Sequence, residues 1–351
     1  MNTDEKYMQR CLVLAQKGAG SVSPNPMVGC VIVHNNTIIG EGYHERCGEA
    51  HAEVNAVRSV TNPELLTEST LYVTLEPCAH FGKTPPCSDL IVEKKIPKVV
   101  IGTIDPFAEV AGKGIEKLKK AGIEVTLDVL RDECRELNKR FFTFHQKQRP
   151  YIILKWAQTQ DGFLDVDRDS ADFGEPTWIT GKEALLRVHQ LRAAEDAIMV
   201  GTHTAEKDDP SLTVRHCDGK NPLRMVLDRE LRLSQNLKLF DQSTPTLVFN
   251  ALKNEVQGNT EYHLIDFQKN VPLQVLNLLY RKNILSLIVE GGRQLLQSFI
   301  DHNLWDEAQV YTGAKTFGAG VPAPLFDLRN ATKESIGNDL LQVVRNRDQG
   351  S

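Results

Sequence analysis

The sequence predicts a two-domain α/β protein, and three observations carry that expectation. Short β-branched strands alternate with amphipathic helices along the chain. The alternation breaks at Arg149-Pro150, after a strongly charged helical stretch. At 351 residues the chain has room for two domains of ordinary size. The expected domains are 1–148, a three-layer α/β unit, and 149–345, a second α/β unit.

In the first unit, residues 4–17 place Met8, Cys11, Leu12 and Ala15 on one helical face, and Gly18 ends the helix. Residues 28–34 and 37–40 read as strands around Asn35-Asn36, a hairpin signal. A helix over 51–60 and a β-branched strand over 70–75 follow. Next come a helix over 87–94 beside Pro86, a strand over 98–104, a helix over 114–121 closed by Gly122, and a strand over 124–130. One charged helix is expected over 131–148. The second unit opens with a strand over 151–157 and a long helix over 182–194. Strands at 197–200, 223–227 and 246–249 lead to a helix over 272–282 and an apolar strand over 285–289. Gly291-Gly292 then opens a helix over 293–300, and the last ten or so polar residues are expected to fray.

Hydrophobic content of 41% and charged content of 25% fit a soluble globular protein. A net charge of −5 argues against a nucleic-acid partner, whose binding domains carry a basic footprint. The chain shows no apolar run of bilayer length and no signal peptide after Met1, so a cytoplasmic protein without a membrane partner is expected. Seven scattered cysteines are an odd number, which disfavours a disulfide framework and favours metal binding by any clustered pair. Cys11 and Cys134 fall among helix-patterned apolar residues and read as core.

The chemistry is concentrated in His51-Ala52-Glu53, Pro77-Cys78 and Cys87. Neutral imidazole and thiolates suit zinc, and three protein ligands leave a catalytic position open to water. Zinc brings the pKa of that water towards ~7. Glu53, two residues from His51 at a helix start, is placed to carry the proton and not to bind the metal. His-x-Glu followed by Pro-Cys and a second Cys is the signature of zinc nucleobase deaminases. Cys87 is expected to start a helix, where thiolate is favoured over thiol. Eight residues, 79–86, separate the two cysteines, in place of the usual two. His80, Lys83 and Thr84 in that insert are donors suited to an anionic or hydroxylated substrate tail.

The longer motifs resemble one family. Pro24-Asn25-Pro26, Val28-Gly29-Cys30-Val31-Ile32-Val33, His51-Ala52-Glu53, and Thr74-Leu75-Glu76-Pro77-Cys78 running to Thr84-Pro85-Pro86-Cys87 are similar to the bifunctional deaminase/reductase family of riboflavin biosynthesis. So are Asp161-Gly162, Trp178-Ile179-Thr180, Asp208-Asp209-Pro210-Ser211-Leu212-Thr213, Arg215 and Val289-Glu290-Gly291-Gly292. The resemblance covers roughly residues 1–330. It implies a cytidine-deaminase-like three-layer α/β/α domain followed by a dihydrofolate-reductase-like α/β domain. The first would remove the pyrimidine 2-amino group of 2,5-diamino-6-ribosylamino-4(3H)-pyrimidinone 5′-phosphate. The second would use NADPH to reduce the ribosyl chain to ribityl, with hydride passing to the sugar C1′.

The resemblance also implies residue roles. Asn25 would hydrogen-bond the deaminase substrate, although an Asn between two prolines also forms turns unaided. Ala157, Trp178, Thr204, Asp208, Gly292, Arg293, Gln294, Leu295, Leu296, Gln297 and Ser298 match cofactor contacts. Arg229, after Asp228 at a strand end, is placed for the cofactor's 2′-phosphate by analogy with other NADP sites. Arg192, Leu212, Arg215 and Glu290 match substrate contacts, and guanidinium suits a phosphorylated ligand. Lys155 and Asp208 are the candidate proton donors. Two departures stand out: Pro176 occupies a substrate-contact position where the family has Ser, and Thr159-Gln160-Asp161-Gly162 replaces Ser-Leu-Asp-Gly. The family also implies a homo-oligomer, at least a dimer. Two other readings compete: a single-function RNA deaminase, disfavoured by the cysteine spacing and acidic balance, and a non-catalytic zinc scaffold, disfavoured by Glu53.

Overall fold

The structure, a computed structural model, describes residues 2–79, 85–107, 111–169, 172–174 and 176–346. The chain divides into two compact units, Met1–Gln148 and Arg149–Ser351.

The first unit runs α1 (Thr3–Gln16), β1 (Gly29–His34), β2 (Thr37–Tyr43), α2 (Ala52–Ser59), β3 (Thr70–Leu75), α3 (Cys87–Glu93), β4 (Lys98–Thr103), α4 (Lys113–Lys120), β5 (Glu124–Thr126), α5 (Arg131–Leu137) and α6 (Lys139–Lys147). Its sheet has the order β2-β1-β3-β4-β5. β1 is antiparallel to both neighbours, whereas β3, β4 and β5 are mutually parallel. Strand alternation fixes three layers. Cys30, Ile32, Leu71, Val73, Val99 and Ile101 face the helices α2, α3 and α4 through Ala52, Ala56, Ile91 and Leu118. The intervening Val31, Val33, Tyr72 and Val100 face α1 and α5 through Met8, Cys11, Leu12 and Cys134. Cys11 and Cys134 are thus core, and burial raises both thiols.

Two expectations for this unit change. The charged helix over 131–148 is two helices, broken at Asn138. The Asn138 side chain accepts from the Met27 N–H and donates to the Met27 carbonyl, both at 2.8 Å. That tie to a distant loop competes with continuous helix. The strand expected over 124–130 stops at Thr126, and Asp128 and Leu130 beyond it have positive φ (63° and 50°).

The second unit runs β6 (Tyr151–Gln158), β7 (Phe163–Asp165), α7 (Lys182–Ala194), β8 (Ala197–Val200), α8 (Thr202–Asp208), β9 (Leu223–Leu227), β10 (Thr246–Asn250), β11 (Glu255–Gln257), β12 (Thr260–Leu264), α9 (Val271–Arg281), β13 (Ser286–Gly291), α10 (Arg293–Asp301), β14 (Glu307–Thr312), β15 (Val321–Pro322), β16 (Thr332–Ile336) and β17 (Asp339–Arg345). Ten strands form one sheet in the order β11-β12-β10-β9-β8-β13-β6-β14-β17-β16. From β12 to β14 every neighbour pair is parallel, and the edges beyond are antiparallel. Met199, Met225, Phe249, Leu287 and Val289 pack on one face with α9 and α10. Ile198, Val200, Val226, Val248 and Ile288 pack on the other with Ala205 and Leu191. The end of the chain does not fray where expected: β17 pairs with β14 through Arg345. Residues 347–351 lie outside the described residues. No helix among the described residues is long and apolar enough to cross a membrane.

A buried cation holds one side of this sheet. Arg224 on β9 is 0% exposed and donates to Thr246 Oγ1, the Lys238 and Thr244 carbonyls and the Asp241 carboxylate. Arg224→Met leaves buried acceptors without a donor. We expect a loss of about 3–5 kcal/mol, read in a denaturant melt of the second unit.

Candidate active sites

The first site lies where β3 and the helices α2 and α3 meet. His51 is the N-cap of α2, which puts Glu53 in its first turn. Cys78 follows β3 across Glu76-Pro77, and Cys87 is the first residue of α3. The ligating atoms of His51, Cys78 and Cys87 all lie within 4.8 Å of one another. His51 Nδ1 is 3.7 Å from Cys78 Sγ and 3.4 Å from Cys87 Sγ. Tetrahedral zinc, with Zn–N about 2.0 Å and Zn–S about 2.3 Å, separates N and S by about 3.5 Å. The donor set therefore fits zinc in both type and spacing. No fourth His, Cys, Asp or Glu joins the group among the described residues, which leaves the open position of a catalytic centre.

Glu53 is 3% exposed, and burial pushes its carboxyl up to about 7. Cys78 is pulled down to about 4, first by hydrogen bonding with Cys87 and then, against burial, by His51. The backbone N–H of Cys87 donates to Cys78 Sγ at 3.3 Å, and the Ser88 N–H and hydroxyl donate to the Cys78 carbonyl. The start of α3 thus also favours the thiolate of Cys78, through its first N–H. Cys87 itself is raised, by its bond with Cys78 and by burial.

Two residues outside the expected set support this site. Glu76 is buried and accepts from the N–H groups of Asp105, Gly112, Gly114 and Ile115 at 3.0–3.3 Å. It thereby fastens the strand end bearing Cys78 to the start of α4. A Cβ at Gly114 would stand 2.1 Å from the Pro77 carbonyl, so this approach requires glycine. His44 lies edge-on to His51, with ring centroids 5.4 Å apart. His44 Nδ1 reaches the Ala50 carbonyl, and Nε2 pairs with Asn25 Nδ2 at 3.1 Å. With Nδ1 as donor, Nε2 accepts from the Asn25 amide, which leaves the Asn25 oxygen available. His80, Lys83 and Thr84 lie outside the described residues.

The second site is a cavity of about 1240 Å³ at the carboxyl ends of β6, β8, β9 and β13. Nearly every residue expected at the reductase site lines it: Ala157, Pro176, Trp178, Arg192, Thr204, Asp208, Leu212, Arg215, Arg229, Glu290, Gly292, Arg293, Gln294, Leu295 and Ser298. Leu296 and Gln297 do not. Leu296 is buried in the core, and Gln297 donates to Asp301 and accepts from the Leu325 N–H. Successive residues on α10 point about 100° apart, so 293–298 cannot all face one cavity. Trp178 is 53% exposed at the cavity wall, which rules out a core role.

The cavity fits a pyrophosphate-bearing cofactor. The N-cap of α10 is Gly292, which supplies no side-chain cap, so the first N–H groups of the helix can meet an anion. A Cβ at Gly292 would press on Thr204 Oγ1 at 3.1 Å. Glu290 lies between two cations, with Arg192 at 2.8 Å and Lys155 at 3.8 Å. Burial raises its carboxyl, but Arg192 and Lys155 outweigh burial and hold it at about 2. Burial lowers Lys155, and Glu290 only partly offsets that. Asp208 is bound by Arg168, a cavity residue the sequence did not mark, which also pairs with Asp165 at 2.7 Å.

A His/Cys/Cys centre with a buried carboxyl, followed by an α/β unit with a glycine-lined cofactor cavity, defines a zinc deaminase joined to a reductase. Family comparisons agree for each half. The cytidine and deoxycytidylate deaminase zinc-binding region matches residues 1–103, and the RibD C-terminal domain matches residues 150–347. The riboflavin biosynthesis protein RibD of Aquifex aeolicus (strain VF5) is 40% identical over 358 residues, covering 96% of this chain and 97% of its own. That of Escherichia coli (strain K12) is 36% identical over 333 residues, covering 90% and 89%. The crystal structure of a diaminohydroxyphosphoribosylaminopyrimidine deaminase/5-amino-6-(5-phosphoribosylamino)uracil reductase from Thermotoga maritima matches with a TM-score of 0.87 at 38% identity, covering 98% of both chains. The chain belongs to the RibD family of bifunctional deaminase/reductases of riboflavin biosynthesis. It is a hydrolase in its zinc-binding half and an oxidoreductase of the NADPH-using type in the other.

Proposed function

We propose that the zinc site hydrolyses the 2-amino group of 2,5-diamino-6-ribosylamino-4(3H)-pyrimidinone 5′-phosphate, and that the cavity then reduces the product's ribosyl chain to ribityl. The observation carrying the first step is the buried Glu53 carboxyl beside a three-ligand His/Cys/Cys set. His51, Cys78 and Cys87 hold the metal. Zinc supplies acidification of a water near neutral pH. Glu53 takes a proton from the water that adds to the ring carbon and passes it to the ring nitrogen. It then relays the proton of the added hydroxyl to the amine, so that the C–N bond breaks and ammonia leaves. The Asn25 oxygen accepts a hydrogen bond from the pyrimidine. His80, Lys83 and Thr84 are assigned to the ribose phosphate on their place between the two cysteines.

In the second half, Trp178, Ala157, Thr204, Asp208 and the start of α10 bind the cofactor, with Arg229 on its 2′-phosphate. Arg192, Leu212, Arg215 and Glu290 hold the substrate beside Pro176, which offers no hydroxyl. NADPH supplies a hydride. Between the two candidate proton donors, Lys155 is favoured. Asp208 is occupied by Arg168, whereas Lys155, its side chain 14% exposed, has a lowered pKa next to Glu290. Once the ribose ring has opened to the C1′=N imine, with O4′ leaving C1′ as a hydroxyl, hydride adds to C1′ and Lys155 Nζ gives its proton to the imine nitrogen. A general acid must be protonated, so kcat should fall as pH rises through the lowered Lys155 value. In Lys155→Arg that alkaline limb should vanish from the NADPH-oxidation profile; a limb at the same pH in the variant assigns it elsewhere. The RNA-deaminase reading predicts ammonia release from RNA, which should be absent here. Self-association, at least as a dimer, completes the proposal and is read by analytical ultracentrifugation.

A further inference from the structure

One buried ring at the arginine end of the reductase cavity has a hydrogen bond left to make. His189 lies on α7 three residues before Arg192, so both project from one side of the helix. Its ring is 0% exposed and forms cavity wall together with Arg192, Ser211 and Arg215. His189 Nδ1 accepts the backbone N–H of Arg215 at 3.0 Å. An accepting Nδ1 puts the proton of the neutral ring on Nε2. That Nε2 has no hydrogen-bond partner among the described residues. Burial, then the charges of Arg192 and Arg215, push His189 down to about 4, so it is neutral at pH 7. The His216 ring packs against it, with centroids 4.5 Å apart at 86°. Buried donors are nearly always paired in folded proteins, and a neutral donor adds no repulsion beside two guanidinium groups.

We propose that His189 is a substrate-binding residue whose Nε2–H donates to a phosphate oxygen of the reductase substrate, beside Arg192 and Arg215. This rests on the assignment of those arginines to the phosphorylated substrate. His189→Asn separates the two functions of the ring. The Asn oxygen takes the place of Nδ1 and can still accept from Arg215, but nothing replaces Nε2–H. The measurement is NADPH oxidation with the deaminated substrate, in its phosphorylated and dephosphorylated forms. For His189→Asn, KM for the phosphorylated form should rise roughly tenfold. KM for the dephosphorylated form and ammonia release should stay at wild-type values. His189→Gln, whose amide N–H reaches the place of Nε2, should recover part of the preference. An unchanged ratio of the two KM values in His189→Asn overturns the inference, and so does a parallel rise in both. Arg215→Ala, run alongside, separates the premises. If it also leaves the ratio unchanged, the phosphate assignment fails; if it alone lowers the ratio, only the inference about His189 fails.

Discussion

Glu53→Gln is expected to lower ammonia release by about 10²–10⁴-fold while zinc content and NADPH oxidation of the deaminated substrate stay at wild-type levels. The substitution keeps shape and removes the proton carrier. Glu53 is not one of the three clustered ligands, so metal binding has no reason to change. It is buried in the first turn of α2, whose packing through Ala52 and Ala56 the amide leaves intact. The reductase site is built from other residues, so its activity serves as an internal control for folding. Zinc lost together with ammonia release would mean that Glu53 acts through the metal's binding. Wild-type ammonia release would remove it from the mechanism.

Glu290→Gln should have the mirror-image effect, a loss in reductase kcat/KM on the order of 10²–10³-fold with ammonia release untouched. Glu290 is the anion between Arg192 and Lys155, at 2.8 and 3.8 Å. Removing it leaves two cations facing each other in a buried site. It also removes the charge that opposes burial at Lys155, so the Lys155 value should fall further. Less of that ammonium is then protonated at pH 7. The residual activity should therefore move to lower pH than in the wild-type protein. A uniform loss at all pH values would leave Glu290 as a substrate contact with no part in setting the proton donor.

The His/Cys/Cys cluster was legible because its chemistry is local: His51-x-Glu53 is one helix start, and Cys78 and Cys87 flank one insert. The regular elements of both units were legible where β-branched and apolar residues ran nearly unbroken, as in β3, β4 and β13. Part of what escaped has little periodicity, although β12, β14 and β17 escaped too, with alternating or extensive burial. β16 is nearly all exposed, and α8 buries a single residue, Ala205. Asn138 breaks a charged helix through a bond to Met27, a partner no local pattern reveals. Glu76 was visible inside its motif, but its task depends on backbone groups at 105–115 that fold back to it. Arg168 and His189 escaped for the same reason, since their partners Asp208 and Arg215 are distant in sequence. On α10, helix geometry turns the Leu296 side chain into the core, which a contiguous motif does not reveal.

The central claim is that two separate sites act in order, deamination before reduction. It is tested by following ammonia and NADPH together after the protein is mixed with the diaminopyrimidine substrate. The native protein should release one ammonia for each NADPH consumed. Omitting NADPH should leave ammonia release intact, and removing zinc with a chelator should stop both signals. The zinc-free protein should still oxidise NADPH when given the deaminated product. NADPH consumption by zinc-free protein on the diaminopyrimidine itself would contradict the account.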